Sequence, residues 1–179
     1  TIEFSGMYSV PLKKQIKSFH LSFPSSARSK EIPSDWIEAF HHLSRYITKQ
    51  GSSRKKVVFI DEFPWFDTRK SGFLSAFENF WNSYGSKRND LAVVICGSAA
   101  SYMIKNIVKS KGGLHNRLTR KIRLEPFSLY ETENFLKYNK VSLSRYDILQ
   151  LYMILGGIPF YLEQVMQGES VAQSIDRLC

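Results

Sequence analysis

Cysteine is nearly absent from this sequence: 179 residues contain two, at positions 96 and 179. A pair so sparse and so far apart excludes the disulfide framework of a small secreted domain. Both residues read as free thiols of a reducing compartment. Long apolar runs are missing too: none approaches the ~20 residues that a membrane-spanning helix needs. The opening Thr-Ile-Glu-Phe-Ser-Gly lacks the basic stretch and apolar core of a signal peptide. These absences point to a cytoplasmic protein without a membrane span. Histidine is scarce as well, and His20, His41, His42 and His115 do not fall at metal-ligand spacing. A helix would point the adjacent His41 and His42 to different faces. No Gly-x-Ser-x-Gly marks a hydrolase nucleophile, and no repeat or low-complexity tract occurs.

Acidic residues are in deficit, 16 against 25 basic, for a net charge of +9. That balance permits contact with nucleic acid, a phosphate-bearing ligand or an acidic partner, without choosing among them. A basic solvated surface accounts for it equally well. The Ser-rich loop around Arg28 to Lys30 and the Arg54-Lys55-Lys56 run could touch nucleic acid, but a solvated face is the better reading of both. Aromatic residues, in contrast, are plentiful at 14%, with 13 Phe and 9 Tyr. A chain of this length buries about 70% of its unfolded surface, so it folds without disulfides or metals.

Along the chain, Pro11 suits the first turn of a helix over 11–20. Residues 24–33 read as a loop. Ser34 looks like the N-cap of a helix whose apolar face is Trp36, Ile37, Phe40, Leu43 and Ile47, ending near Gly51. Val57 to Ile60 and Leu91 to Cys96 are short continuous apolar runs, the pattern of strands buried on both faces of a parallel sheet. Between them, Phe73 to Tyr84 has helical periodicity, and a further helix is expected over about 98–109. Lys121-Ile122-Arg123-Leu124 suggests a third, more charged strand. Beyond Pro126 only helices are expected. Ser128 with Glu131, and Ser144 with Asp147, form capping boxes, Gly156-Gly157 is a stop and Pro159 a start. Alternating strands and helices followed by helices alone imply an α/β core with a helical appendage.

The strand at 57–60 runs directly into Asp61-Glu62. Two carboxylates there sit at the carboxyl edge of a parallel sheet, where open α/β folds bind ligands. An Asp in that position can hold a hydrated magnesium ion, and a neighbouring Glu can polarise an attacking water. The same two residues could also simply cap a strand and begin a turn.

The wider pattern resembles the archaeal and bacterial AAA-like P-loop ATPases related to the STAND NTPases. Ile60-Asp61-Glu62-Phe63-Pro64-Trp65 is similar to that family's Walker B segment, and Val93 to Ala99 to its sensor strand. Leu114 to Thr119 resembles the arginine-bearing segment before the last core strand. Leu124 to Ser128 resembles the start of the helical lid, and Gly156-Gly157-Ile158-Pro159-Phe160-Tyr161-Leu162 a Gly-Gly-x-Pro-x-Tyr-Leu element. The stretch from Phe4 to Phe19 looks like the one following the family's second strand.

The resemblance implies a partial P-loop NTPase core over residues 1–124 and the start of an all-helical lid over 125–179. It implies ATP and Mg2+ as ligands, with Asp61 organising the metal through water, Glu62 as catalytic base and Ser98 as sensor. Arg117 is its candidate arginine finger, acting in its own subunit or on a neighbour through self-association, and Gly157 and Pro159 would pack near adenine. Ser98 also fits a plain helix N-cap, Arg117 a solvated cluster with Arg120, Lys121 and Arg123, and Pro159 ordinary helix punctuation. One departure is decisive: no Gly-x-x-x-x-Gly-Lys-Ser/Thr occurs in these residues, so most of the energy for holding nucleotide phosphates is absent. The expectation is a truncated chain with weak or no ATP binding and two strands left without a partner, unless they pair directly or another chain fills the gap. The alternative is a non-catalytic remnant that binds nucleic acid or protein through its basic surface.

Overall fold

Parallel pairing is what organises the N-terminal half of the computed structural model, which describes residues 1–51 and 53–178. β1 (Ile2–Ser5), β2 (Lys56–Asp61) and β3 (Leu91–Ile95) lie in the order β1-β2-β3. The central strand is parallel to both neighbours, with Phe4 opposite Ile60 and Ile60 opposite Ile95. Helices α1 (Leu12–Leu21), α2 (Trp36–Lys49), α3 (Phe63–Phe66) and α4 (Phe73–Ser83) connect these strands. After β3 come a short helix α5 (Ala100–Tyr102) and a π-helical turn at Met103–Val108.

Period-two alternation puts Ile2, Phe4, Val58 and Ile60 on one face, all buried in a single cluster with α1, α2 and α4. Both-face burial, expected from the continuous apolar runs, is not what the sheet shows. Val57 and Phe59 are half-buried and Val94 is exposed, because the helices contributing to the core gather over the other face. Aromatic side chains fill that core. Trp36 and Phe73 stack edge to face at 4.9 Å, and Phe63 meets Phe73 at 4.9 Å and Phe77 at 5.0 Å. Each ring buried this way contributes about 1.5–3 kcal/mol by area alone, with aromatic pairing adding about 0.5–1.5 kcal/mol.

α2 begins one residue later than Ser34 implies: Asp35 is its N-cap, its side chain accepting from the Glu38 N–H at 2.9 Å. Ser34 instead donates its N–H to Glu38 Oε2. The third strand does not form. Residues 121–128 have no regular structure, and Ile122 and Leu124 stay 76% and 91% exposed. A two-hydrophobe segment interleaved with Lys121 and Arg123 gains too little by burial to order itself without a strand to pair with.

The chain divides into two compact units, residues 1–119 and 120–179. The second is all-helical among its described residues: α6 (Leu129–Tyr138), α7 (Arg145–Leu155), α8 (Pro159–Leu162) and α9 (Val171–Leu178). Both capping boxes are present, Ser128 with Glu131 and Ser144 with Asp147. Leu136, Ile148, Leu151 and Leu162 form its own apolar core. No helix among the described residues is long and apolar enough to cross a membrane.

Candidate functional site

The carboxyl ends of β2 and β3 meet in a small polar constellation, held from below by the aromatic core. Phe63 and Phe66 are fully buried against Phe73. This anchors the chain immediately after Asp61-Glu62, so the two acids cannot drift from the sheet's rim. Glu62 is left in the left-handed region, φ 46° and ψ 45°. That conformation costs a residue with a Cβ about 1–2 kcal/mol, and such strain concentrates at functional sites.

Asp61 Oδ1 accepts two hydrogen bonds, from the Glu62 N–H at 2.9 Å and from the Cys96 thiol at 2.7 Å. Its second oxygen makes no hydrogen bond among the described residues. Burial, and then Asp61 itself, pushes the Cys96 thiol up to about 11, so it stays protonated and able to donate near neutral pH. Cys96 also ties the strands through its backbone. Its N–H donates to Ile60 O at 3.0 Å, and its carbonyl accepts from the Phe63 N–H at 2.9 Å. Two residues on, Ser98 donates to Glu62 Oε2 from its hydroxyl (3.2 Å) and its N–H (3.4 Å). Asp61, Glu62 and Ser98 are thus brought together as one set, with Cys96 added to it.

Two glycines make the approach possible. A Cβ on Gly6 would collide with the Glu62 carbonyl oxygen, and one on Gly97 would lie 2.5 Å from Pro64 Cδ. Gln15, fully buried, fastens the same corner. Its amide donates to Met7 O at 2.6 Å and Trp65 O at 2.9 Å, and its oxygen accepts from the Met7 N–H at 3.2 Å. Sequence reasoning assigns none of Cys96, Gly6, Gly97 and Gln15 a role at this site; it reads Cys96 only as a free thiol in an apolar run. Gln15 carried one faint signal, a polar residue on the buried stripe of a helix.

Arg117 is not joined to this set. It is exposed, and among the described residues its side chain makes no hydrogen bond or ion pair. Gly157 and Pro159 belong to the second unit. Gly157 has φ +69°, its carbonyl accepts from the Phe127 N–H at 2.8 Å, and a Cβ there would strike the Phe127 carbonyl oxygen. Pro159 is the first residue of α8, where its missing N–H costs nothing.

The set offers acceptors able to hold a hydrated divalent cation and take a proton from water, beside a hydroxyl donor. Comparison with known proteins agrees with a nucleotide-directed chemistry. The sequence pattern of a family described as an ATPase domain predominantly from Archaea matches residues 8–165. An uncharacterized protein of Methanocaldococcus jannaschii is 27% identical over 131 residues, 73% of this chain and 26% of the relative. A Walker-type ATPase of Pyrococcus abyssi superposes with a TM-score of 0.63 over 99% of this chain and 59% of that one, at 15% identity, a likeness of fold. The chain therefore spans about a quarter of that relative's length and under two thirds of the solved structure's.

Proposed function

This chain belongs to the family of ATPase domains found predominantly in Archaea, and we propose that Asp61-Glu62 is its Walker B pair, serving Mg2+-dependent ATP hydrolysis. The observation that carries the reading is the pairing of the two acids at the carboxyl end of a central parallel strand, with Ser98, three residues beyond the end of β3, already bonded to Glu62. Ligands of open α/β sheets lie outside the carboxyl ends of the strands.

The residues present fit a magnesium ion. Asp61 has one oxygen pinned by two donors and the other without a hydrogen bond among the described residues, which suits an ion that prefers oxygen ligands and keeps several of its waters. Bound there, the ion would neutralise phosphate charge. Glu62 accepts a proton from the attacking water. Ser98 holds the Glu62 carboxylate in place and offers its hydroxyl near the reacting phosphate. Arg117, exposed and without an ion-pair partner among the described residues, serves as the arginine finger, worth about 10³–10⁵ in rate in enzymes that use one. Gly157 and Pro159 shape an adenine contact, and the helical unit acts as a lid whose movement follows hydrolysis. Residues 1–179 contain no phosphate-cradling loop, so this chain by itself binds Mg·ATP weakly. Submillimolar affinity by calorimetry would contradict that.

The reading is tested with Asp61→Asn in the full-length gene product. The substitution removes the charge that organises the metal and keeps the side-chain shape. ATP turnover at millimolar Mg2+ is expected to fall at least ~100-fold, the scale of losing a positioned electrostatic group. Turnover within a factor of a few of the parent would remove Asp61 from the site.

A further inference from the structure

Opposite the acid rim, β2 and β3 begin in two loops that the parallel register sets side by side. Lys56 lies opposite Leu91, and the Lys56 N–H donates to Asp90 O at 2.7 Å. Between the loops is a shallow cleft of about 510 Å³ lined by Ser53, Lys55, Lys87, Arg88, Asn89 and Asp90. Its single acid is committed. Asp90 accepts from Arg88 through both oxygens, at 2.9 and 2.6 Å, and from Lys56 Nζ at 2.8 Å. Arg88, and then Lys56, hold its carboxyl well below the usual carboxylate range. Arg88 is braced in turn against Tyr84, which bonds Thr48 at the end of α2.

This rigid base leaves Arg54, Lys55 and Lys87 exposed, and none of them forms an ion pair among the described residues. Lys55 and Lys87 line an open cleft rather than an enclosed pocket of the kind that holds a single free phosphate, and among the described residues no exposed aromatic ring lines it on which a base could stack. Lysine heads on flexible stems, spread over two loops, fit a run of repeating charges better than one compact anion. We infer that the amino-terminal end of the sheet, centred on Lys55 and Lys87 with Arg54 beside them, is a sequence-independent docking surface for the phosphodiester backbone of nucleic acid. The surface lies five residues of β2 away from Asp61, roughly 17 Å at ~3.3 Å per residue. It therefore works independently of the hydrolytic reading.

The test is fluorescence anisotropy of a labelled 20-base-pair DNA duplex with the chain over a series of salt concentrations. Lys55→Glu with Lys87→Glu is expected to weaken binding about tenfold or more at low salt and to flatten the log–log salt slope by about one unit per lysine. Lys13→Glu with Lys14→Glu, an equal charge change on the exposed side of α1, is the control for bulk charge. Lys55→Arg with Lys87→Arg keeps the charge and retains binding, and Asp61→Asn leaves it unchanged. Equal weakening by the two Glu pairs, or failure of the Arg pair to bind, would overturn the inference. So would polyglutamate competing as well as DNA at equal charge, since the surface would then serve an acidic protein.

Discussion

Glu62 concentrates the tension between folding and chemistry at this site. Its left-handed backbone is one that only glycine adopts freely, yet the chain keeps a carboxylate there. Both Glu62→Gly and Glu62→Ala remove the carboxylate that Ser98 bonds and should abolish any hydrolysis. Glu62→Gly should nonetheless be more stable than Glu62→Ala by about 1 kcal/mol in a denaturant titration. A Gly protein no more stable than the Ala one would show that the backbone is not strained. Cys96 makes the complementary case. Its thiol is one of two donors to Asp61 Oδ1, and a net hydrogen bond is worth about 1 kcal/mol. Cys96→Val in the full-length protein should lower turnover roughly five- to tenfold, a loss of that size in rate terms. Cys96→Ser should largely preserve it, and equal losses in both would assign Cys96 to packing alone. The pairing was invisible in the sequence, because a cysteine in an apolar run reads as a small hydrophobe. The strand-end position of Asp61 and Glu62 follows from the apolar run that precedes them, whereas their use does not, because the bare pattern fits a strand cap equally well.

Among the elements, helices were read more faithfully than strands. Of the apolar face expected for α2, Trp36, Phe40, Leu43 and Ile47 are buried, but Ile37 is 61% exposed because it lies off the stripe that meets the core. What local pattern could not distinguish was which of two adjacent polar residues caps it, Ser34 or Asp35. That choice depends on which backbone leaves the extended region. Asp35→Ala should cost about 1 kcal/mol of stability, whereas Ser34→Ala should cost less, both measured by thermal unfolding. A four-residue strand such as β1 offers only two inward side chains, Ile2 and Phe4, too few for a periodicity argument. The segment at 121–124 has the converse problem, since strand character needs a neighbour that sequence cannot supply. Phe73 tests the core: it contacts Trp36, Phe40, Phe63 and Phe66. Phe73→Ala should therefore cost about 3–5 kcal/mol and loosen Asp61-Glu62 along with the core.

For the whole molecule, stability carries a pH signature from its first unit. His20 is buried with Nδ1 unpartnered among the described residues, and its ring lies 6.3 Å from that of His42. Burial is the main cause lowering both, reinforced at His20 by His42 and Arg28, and at His42 by Arg45 and His41 against Glu38. The unfolded chain therefore binds more protons than the folded one once pH falls below about 6.5, the ordinary histidine value. Stability contributed by the neutral pair is present above that pH and lost as pH drops through the folded values. The midpoint of thermal unfolding should be lower at pH 5.5 than at pH 7.5, and replacing both histidines by glutamine should shrink the difference. A midpoint that rises on acidification would contradict this. At the same scale, one end of the sheet presents acids and the other Lys55 and Lys87, which form no ion pair among the described residues, a polarity that net charge alone did not reveal.

The central claim, that the strand-end carboxylates serve ATP hydrolysis, is tested most directly by Glu62→Gln in the full-length gene product. Nucleotide affinity and phosphate release should be measured on the same preparation. Affinity within about threefold of the parent, with phosphate release reduced at least ~100-fold, is the result expected when only a general base is removed. Unchanged phosphate release would contradict the claim.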